Sequence, residues 1–235
     1  MTASPKYWVM IPAAGTGARM QTELPKQYLK IRGKCILEYV LERFCTHPKI
    51  EAVVVALAEN DPYWKDLTMA THDKIICTTG GTERCHSVLN GLKTLSTYAA
   101  PDDWVLVHDA ARPCLHSSDI DHLLDELDDH PVGGLLALPV RDTIKRSDAD
   151  DLVSETVNRE GLWHALTPQM FRLGSLQRAI TTALSEKLLV TDEAQAMERL
   201  GNKPVLVQGR PDNIKITHHS DLALAELFLS QQEAS

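Results

Sequence analysis

Six short runs rich in branched apolar residues recur along this 235-residue chain, at Tyr7–Ile11, Ala52–Leu57, Lys74–Cys77, Trp104–Val107, Leu135–Val140 and Pro204–Val207. Most are separated by longer stretches in which apolar residues return with helical spacing: Ile36–Cys45, Arg84–Leu95, Asp119–Leu127 and Leu173–Leu184. Runs of the first kind suit buried strands, and the periodic stretches suit amphipathic helices. Alternation of the two implies an α/β unit whose mostly parallel sheet is covered by helices on both faces. Functional groups in such a sheet gather beyond the carboxyl ends of the strands. A chain of this size can bury roughly 70% of its unfolded surface within one domain, so residues 1–235 read as a single unit.

Small polar residues mark the helix starts. Ser118 before Asp119, Thr191 before Asp192 and Ser220 before Asp221 fit N-caps, each followed by an acid in the first turn. The last helix, Asp221–Leu229, is expected to close the sheet on one side, and Asn213–Thr217 to form a last short strand. One segment breaks the alternation. Arg141–Arg146 and Leu152–Val157 alternate apolar and polar residues around the turn-forming Ser147–Asp151, the pattern of a β-hairpin. Both its faces are too polar to be buried in one subunit, and a lone exposed pair of strands is only marginally stable. Pairing with a second copy would resolve this, so a β-arm at about residues 139–162 is expected to build a homodimer.

A formal net charge of -8 argues against a general nucleic-acid surface, because sequence-independent phosphate binding needs a field of Lys and Arg. Any polyanion has to be met in a local pocket. No apolar run approaches the ~20 residues of a membrane span, and Met1–Lys6 leads into the first run without a hydrophobic signal core. A cytoplasmic protein is expected. Cys35, Cys45, Cys77, Cys85 and Cys114 contain no C-x-x-C pair, and an odd number suits reduced thiols better than a disulfide framework. The histidines show no H-E-x-x-H spacing, and no protein metal site is read from them.

The residues that carry chemistry follow the strands. Pro12-Ala13-Ala14-Gly15-Thr16-Gly17-Ala18-Arg19-Met20 comes directly after the first run, with Pro25-Lys26 shortly beyond. Small residues let backbone N–H groups approach an anion, and an arginine and a lysine suit a phosphate-rich substrate. The string is not a dinucleotide fingerprint, since Met20 stands where the third glycine belongs, and the chain contains no Walker loop. Gly80-Gly81-Thr82-Glu83-Arg84-Cys85-His86-Ser87-Val88 opens a helix after the third run. Paired glycines leave backbone groups free to read a base edge and Ser87 adds a donor or acceptor; a tight turn capped by Thr82 is the plainer alternative. In Val107-His108-Asp109-Ala110-Ala111-Arg112-Pro113 an acid and an arginine flank two alanines. Asp109 can meet hydroxyls or a magnesium-bearing phosphate there, or pair with Arg112. Taken singly, Arg159 and Lys215 read as solvated cations and Trp163 as a packing residue.

Read together, these strings resemble the methylerythritol phosphate cytidylyltransferase family of the non-mevalonate isoprenoid route. The matching residues are Pro12-Ala13-Ala14-Gly15-x-Gly17-x-Arg19-Met20 with Pro25-Lys26-Gln27-Tyr28, Gly80-Gly81-x-x-Arg84-x-x-Ser87-Val88, and Val107 to Pro113. Further matches are Pro139-Val140-x-Asp142-Thr143-Ile144-Lys145, Leu162-Trp163-x-Ala165-Leu166-Thr167-Pro168-Gln169, Thr191-Asp192-Glu193 and Asn213-Ile214-Lys215. They span nearly the whole chain in family order. The first motif is shared with many nucleotidyltransferases, whereas the later ones single out this family. Thr82 departs from the pattern, standing where an acidic residue is often seen.

The resemblance implies a Rossmann-like nucleotidyltransferase fold with a subunit-exchanging β-arm, and no fused cyclase domain. It implies that the phosphate of a branched polyol attacks the α-phosphate of CTP and that pyrophosphate leaves. Arg19 and Lys26 correspond to the transition-state stabilisers, and Arg159 with Lys215 to the residues that position the attacking phosphate. Pro12, Ala13, Ala14, Gly15, Gly17, Gly81, Thr82, Ser87, Asp109 and Ala110 would hold CTP. Asp109, Arg112, Thr143, Thr167 and Thr191 would complete the acceptor pocket beside Arg159 and Lys215. Magnesium is implied as a cofactor bound mainly through the CTP phosphates. The rival readings are a cytidylyltransferase making a CDP-alditol such as CDP-ribitol, and a non-catalytic nucleotide-binding regulator.

Overall fold

The computed structural model describes residues 5–15 and 24–233, and in it all six apolar runs become strands of one sheet. In chain order the elements are β1 (Tyr7–Pro12), β2 (Lys30–Ile31), β3 (Lys34–Cys35), α1 (Ile36–Cys45), β4 (Ile50–Leu57), β5 (Ile75–Thr79), α2 (Arg84–Leu95), β6 (Trp104–Val107) and α3 (Ser117–Leu127). The second half adds β7 (Gly133–Pro139), β8 (Ile144–Ser147), β9 (Val153–Val157), β10 (Trp163–Arg172), α4 (Leu173–Ser185), α5 (Glu193–Arg199), β11 (Val205–Gln208) and α6 (Ser220–Glu233). The main sheet runs β11-β7-β10-β6-β1-β4-β5, and only β10 is antiparallel to its neighbours.

Alternation along the strands decides which helix covers which face. Val9 and Ile11 of β1 pack with Leu37, Leu41 and Phe44 of α1 and Leu123 of α3. Trp8 and Met10 point the other way, among Val88 and Leu92 of α2 and Leu176 of α4. Complete burial of each Leu, Met or Phe contributes roughly 1.5–3 kcal/mol. Contact between α2 and β1 depends on Gly91, where a Cβ would lie 2.5 Å from Met10 Sδ.

Several local expectations are corrected. β10 is a strand absent from the expected runs; Pro168 within it brings no N–H to a ladder, and its pairing with β7 shifts register between Ala165 and Gln169. Ser118 is not a cap, since α3 already begins at Ser117 and Asp119 Oδ2 accepts from His116 N. Asp192, rather than Thr191, caps α5 by accepting from Gln195 N at 2.9 Å. Ser220 lies inside α6, and Asp221 Oδ2 accepts from Thr217 N and His218 N. Thr82 does not cap α2, whose N-cap position is Glu83. Asn213–Thr217 has no strand geometry and is joined to the fold by Ile216 N donating to Ala111 O. Finally, α6 does not close the sheet: Ala225 and Leu229 pack with Ile31, Ile36, Cys114 and Ile216 over the small β2–β3 hairpin.

The segment between β7 and β10 is a hairpin, with Ile144 opposite Val157 and Arg146 opposite Glu155. It forms its own two-stranded sheet. Asp148 Oδ1 closes its turn by accepting from Asp150 N and Leu152 N, and Leu152 and Val153 are each 64% exposed. No helix among the described residues is long and apolar enough to cross a membrane.

Candidate active site

Strand β1 lies where the sheet changes direction of growth, with β4 on one side and β6 on the other. Open α/β sheets bind ligands at such a switch point, beyond the carboxyl ends of the strands. A cavity of about 460 Å³ opens there.

One wall is backbone. Pro12, Ala13, Ala14 and Gly15 leave β1, and Gly81, Thr82, Glu83, Arg84 and Ser87 leave β5 and start α2. Both turns are tied to the end of β4, by Ala13 N donating to Ala56 O and Gly80 N donating to Leu57 O. They come so close that a Cβ on Gly80 would lie 2.3 Å from Ala14 Cβ. Ser87 Oγ accepts from Gly81 N at 3.0 Å, so this serine holds the glycine turn as well as facing the cavity. Buried Gln27 donates through Nε2 to Ala13 O at 2.7 Å and Gly15 O at 3.0 Å. That amide draws two carbonyl oxygens, which would repel a phosphate, onto itself. Gly17 and Arg19 lie outside the described residues.

The other wall is charged. Lys26 Nζ reaches Ile216 O at 3.4 Å, which brings it beside Lys215 from the far end of the chain. Lys215 Nζ donates to Asp109 Oδ2 at 2.8 Å, while Arg84 Nε donates to Asp109 Oδ1 at 3.1 Å. The Arg112 pairing read from the sequence is the longest of the three, at 3.7 Å. Burial opposes ionisation of Asp109, but Arg84 and then Lys215 overcome it and hold its carboxyl well below the usual range.

Behind this wall a buried layer fixes the loop after β6. His108 Nε2 faces Arg112 O at 3.1 Å and therefore carries the proton, leaving Nδ1 to accept from Thr167 Oγ1 at 3.1 Å. Thr167 Oγ1 in turn accepts from Asp109 N. Arg112 donates to Asn213 O at 2.8 Å, and Asn213 Nδ2 donates to Thr167 O at 2.8 Å. Burial pushes His108 down to about 4, so it is a neutral strut at neutral pH.

The cavity thus brings together Pro12, Ala13, Ala14, Gly15, Lys26, Gly81, Thr82, Ser87, Asp109, Ala110 and Lys215. Arg112 and Thr167 stand directly behind it, both buried. Thr143 and Arg159 are exposed on the hairpin segment, where Arg159 donates to Arg141 O, and Thr191 is exposed ahead of α5; none of the three lines the cavity of a single chain. Residues not singled out from the sequence include Gln27, Arg84, His108, Glu193 and Asn213. Arg84 was legible as the cation at a helix start after a glycine pair, but the others act through burial, which no string discloses.

Among the described residues no three His, Cys, Asp or Glu side chains cluster to hold a metal. Among the described residues, the carboxylates on the cavity wall are Asp109, already held by cations, and Glu83.

A family model described as 2-C-methyl-D-erythritol 4-phosphate cytidylyltransferase matches residues 7–231. A curated protein of that name from Vibrio parahaemolyticus is 53% identical over 223 residues, covering 95% of each chain. One from Pseudomonas putida KT2440 is 55% identical over 219 residues, covering 93% of each. The crystal structure of the Francisella tularensis 2-C-methyl-D-erythritol 4-phosphate cytidylyltransferase superposes with a TM-score of 0.83 at 38% identity, over 95% of this chain and 99% of that one. A bifunctional protein from Campylobacter jejuni matches 93% of this chain and 54% of its own length, with a TM-score of 0.75 at 26% identity.

Proposed function

The chain belongs to the 2-C-methyl-D-erythritol 4-phosphate cytidylyltransferase family, and from that premise we propose that its cavity transfers the cytidylyl group of CTP to 2-C-methyl-D-erythritol 4-phosphate. The products are 4-diphosphocytidyl-2-C-methyl-D-erythritol and pyrophosphate. The observation that carries this reading is the meeting, in one cavity, of a small-residue backbone wall with Lys26, Lys215 and Asp109.

Both reactants are anions, so their repulsion has to be offset before the acceptor oxygen can approach the α-phosphorus. One unit charge at 4 Å contributes on the order of 4 kcal/mol at an effective dielectric of 20, about a thousandfold in rate. Lys26 and Arg19 are assigned to the charge that grows on the α-phosphate and the leaving pyrophosphate. Lys215 receives the acceptor phosphate, with Asp109 fixing its ammonium and offering an acceptor to hydroxyls. The loops at 12–15 and 80–87 hold ribose and cytosine, and the close approach of Gly80 to Ala14 fixes the two loops against each other. No protein base is needed, since a phosphate monoester is already ionised near neutral pH. A divalent ion such as magnesium, carried in on the triphosphate, would supply further neutralisation of phosphate oxygens.

Completion of the acceptor pocket is assigned to a second copy. Exposed Leu152 and Val153 on the arm favour pairing of two arms, which would let Arg159 and Thr143 reach a neighbouring cavity. Sedimentation should therefore find a dimer at micromolar concentration, and a monomer would end this part of the proposal. Five free thiols, four of them buried, suit a reducing cytoplasm. The reaction itself is tested by pyrophosphate release: with CTP and Mg²⁺, methylerythritol phosphate should react far faster than ribitol phosphate, and equal rates would overturn the assignment.

A further inference from the structure

Glu193 is a carboxylate only 1% exposed, on the first residue of α5 and outside the cavity lining. Its surroundings aim it with care. Asp192 caps the helix, Gln169 Nε2 donates to Asp192 Oδ2, and Ala194 N donates to Gln169 Oε1. Glu193 then accepts on both oxygens from the Arg84 fork, at 2.7 and 3.0 Å. A bidentate pair fixes the guanidinium plane as well as its position. The remaining edge of that plane, Nε, meets Asp109 Oδ1, and Asp109 Oδ2 meets Lys215 Nζ.

Four groups of alternating charge thus run from α5 to the cavity wall. Such a chain is weak support for stability, because apolar side chains of similar volume often replace buried ion pairs without loss. What it does provide is registration. With both Arg84 terminal nitrogens held by Glu193, only its Nε–H is left for Asp109, which meets Oδ1 and leaves Oδ2 to Lys215. Were Glu193 neutral, the guanidinium would turn fully onto Asp109 and displace the ammonium.

We propose that Glu193 is a positioning residue which, through Arg84 and Asp109, sets the Lys215 ammonium for the acceptor phosphate. This deepens the proposed function and rests on the role given there to Lys215. Both oxygens of Glu193 accept from a guanidinium, an arrangement only the ionised carboxylate makes, even though burial pushes the group up against the pull of Arg84.

The test is steady-state pyrophosphate release by Glu193→Gln, Lys215→Gln and the double variant, varying CTP and the polyol phosphate separately. Each single change is expected to raise the acceptor KM about tenfold, or about 1.4 kcal/mol, with the CTP KM within about twofold of the original. Residues acting through one chain are not additive, so the double variant should lie within about threefold of Lys215→Gln. A multiplicative double effect, or a Glu193→Gln protein that loses melting temperature but keeps its acceptor KM, overturns the inference. If Glu193→Gln does not fold, the pair Arg84→Gln with Glu193→Gln leaves no guanidinium to displace the ammonium, while Asp109 keeps Lys215 and Arg112, so its acceptor KM should stay within about threefold of the parent's; a tenfold rise there refutes the inference. An acceptor KM unmoved by Lys215→Gln would remove the role of Lys215 and this inference together, whereas one moved by Lys215→Gln alone would remove only the inference.

Discussion

Replacing Asp109 by asparagine separates the electrostatic account of this site from a purely steric one. The carboxylate sits 3.1 Å from Arg84 Nε, 2.8 Å from Lys215 Nζ and 3.7 Å from Arg112 Nε. At an effective dielectric of 20 each contact is worth roughly 5 kcal/mol of attraction. The Lys215 side chain is 38% exposed, so solvent screens its share, while Arg84 at 27% and Arg112 at 9% are less screened. Against this stands the cost of desolvating a carboxylate, several kcal/mol. Removing one partner of such a pair costs about 3–5 kcal/mol, and a domain of this size shifts by roughly 2–4 °C per kcal/mol. A fall in melting temperature of about 10 °C is expected for Asp109→Asn. Because the freed cations can then take phosphate oxygens, pyrophosphate should raise the melting temperature of the variant more than that of the parent. A scanning fluorimetry titration reads both effects. A shift below about 2 °C, or equal pyrophosphate responses, would refute the reasoning.

Lys26→Ala should lower kcat about a thousandfold at saturating substrates, the loss of one unit charge near the transferring phosphate, with circular dichroism unchanged; a rate within about threefold of the parent would rule out its assigned role. His108 is neutral in the fold and free to protonate when unfolded, so the unfolded chain binds the extra proton between pH 6.5 and about 4. Stability from this group is therefore complete above pH 6.5 and declines by about 3 kcal/mol as the pH falls to 4, and urea midpoints across that range should flatten in His108→Gln. Gly80→Ala forces a Cβ against Ala14 and is expected to raise the CTP KM about tenfold, the effect of overpacking by 1–3 kcal/mol. Its acceptor KM should stay near the parent value, and a reversed pattern would misplace the nucleotide.

Sequence patterning captured the parallel strands, and α1 to α4 because each is amphipathic over its own length: Ile36–Cys45 and Arg84–Leu95 agree residue for residue with α1 and α2, while α6 follows the expected Asp221–Leu229 with longer ends and α5 was marked by its start alone. It missed β10 because Pro168 sits in its middle and because a strand crossing the sheet against the grain is defined by its partners β6 and β7. The last segment, Asn213–Thr217, reads as a strand by its alternation, yet Asn213 is buried to satisfy Arg112 and Thr167 rather than to join a ladder. Lys215 was legible only through resemblance. Nothing local announces that a cation near the end of the chain returns to a carboxylate at residue 109.

The two walls of the cavity therefore depend on different kinds of support. The loops assigned to the nucleotide are tied through backbone groups, to Ala56 O and Leu57 O at the end of β4, so their shape survives most side-chain changes and fails mainly where bulk is added. The wall assigned to the acceptor is carried by side chains, with His108, Thr167, Arg112 and Asn213 bonded in series behind Asp109. Each of these buried groups has few spare partners, and deleting one leaves its neighbour unsatisfied at about 1–3 kcal/mol. Substitutions behind the cavity should then disturb acceptor binding from a distance, while substitutions of equal size behind the nucleotide loops should not. Variation in acceptor preference within such a scaffold would have to arise in the side-chain layer and on the arm, leaving the backbone wall for CTP in place.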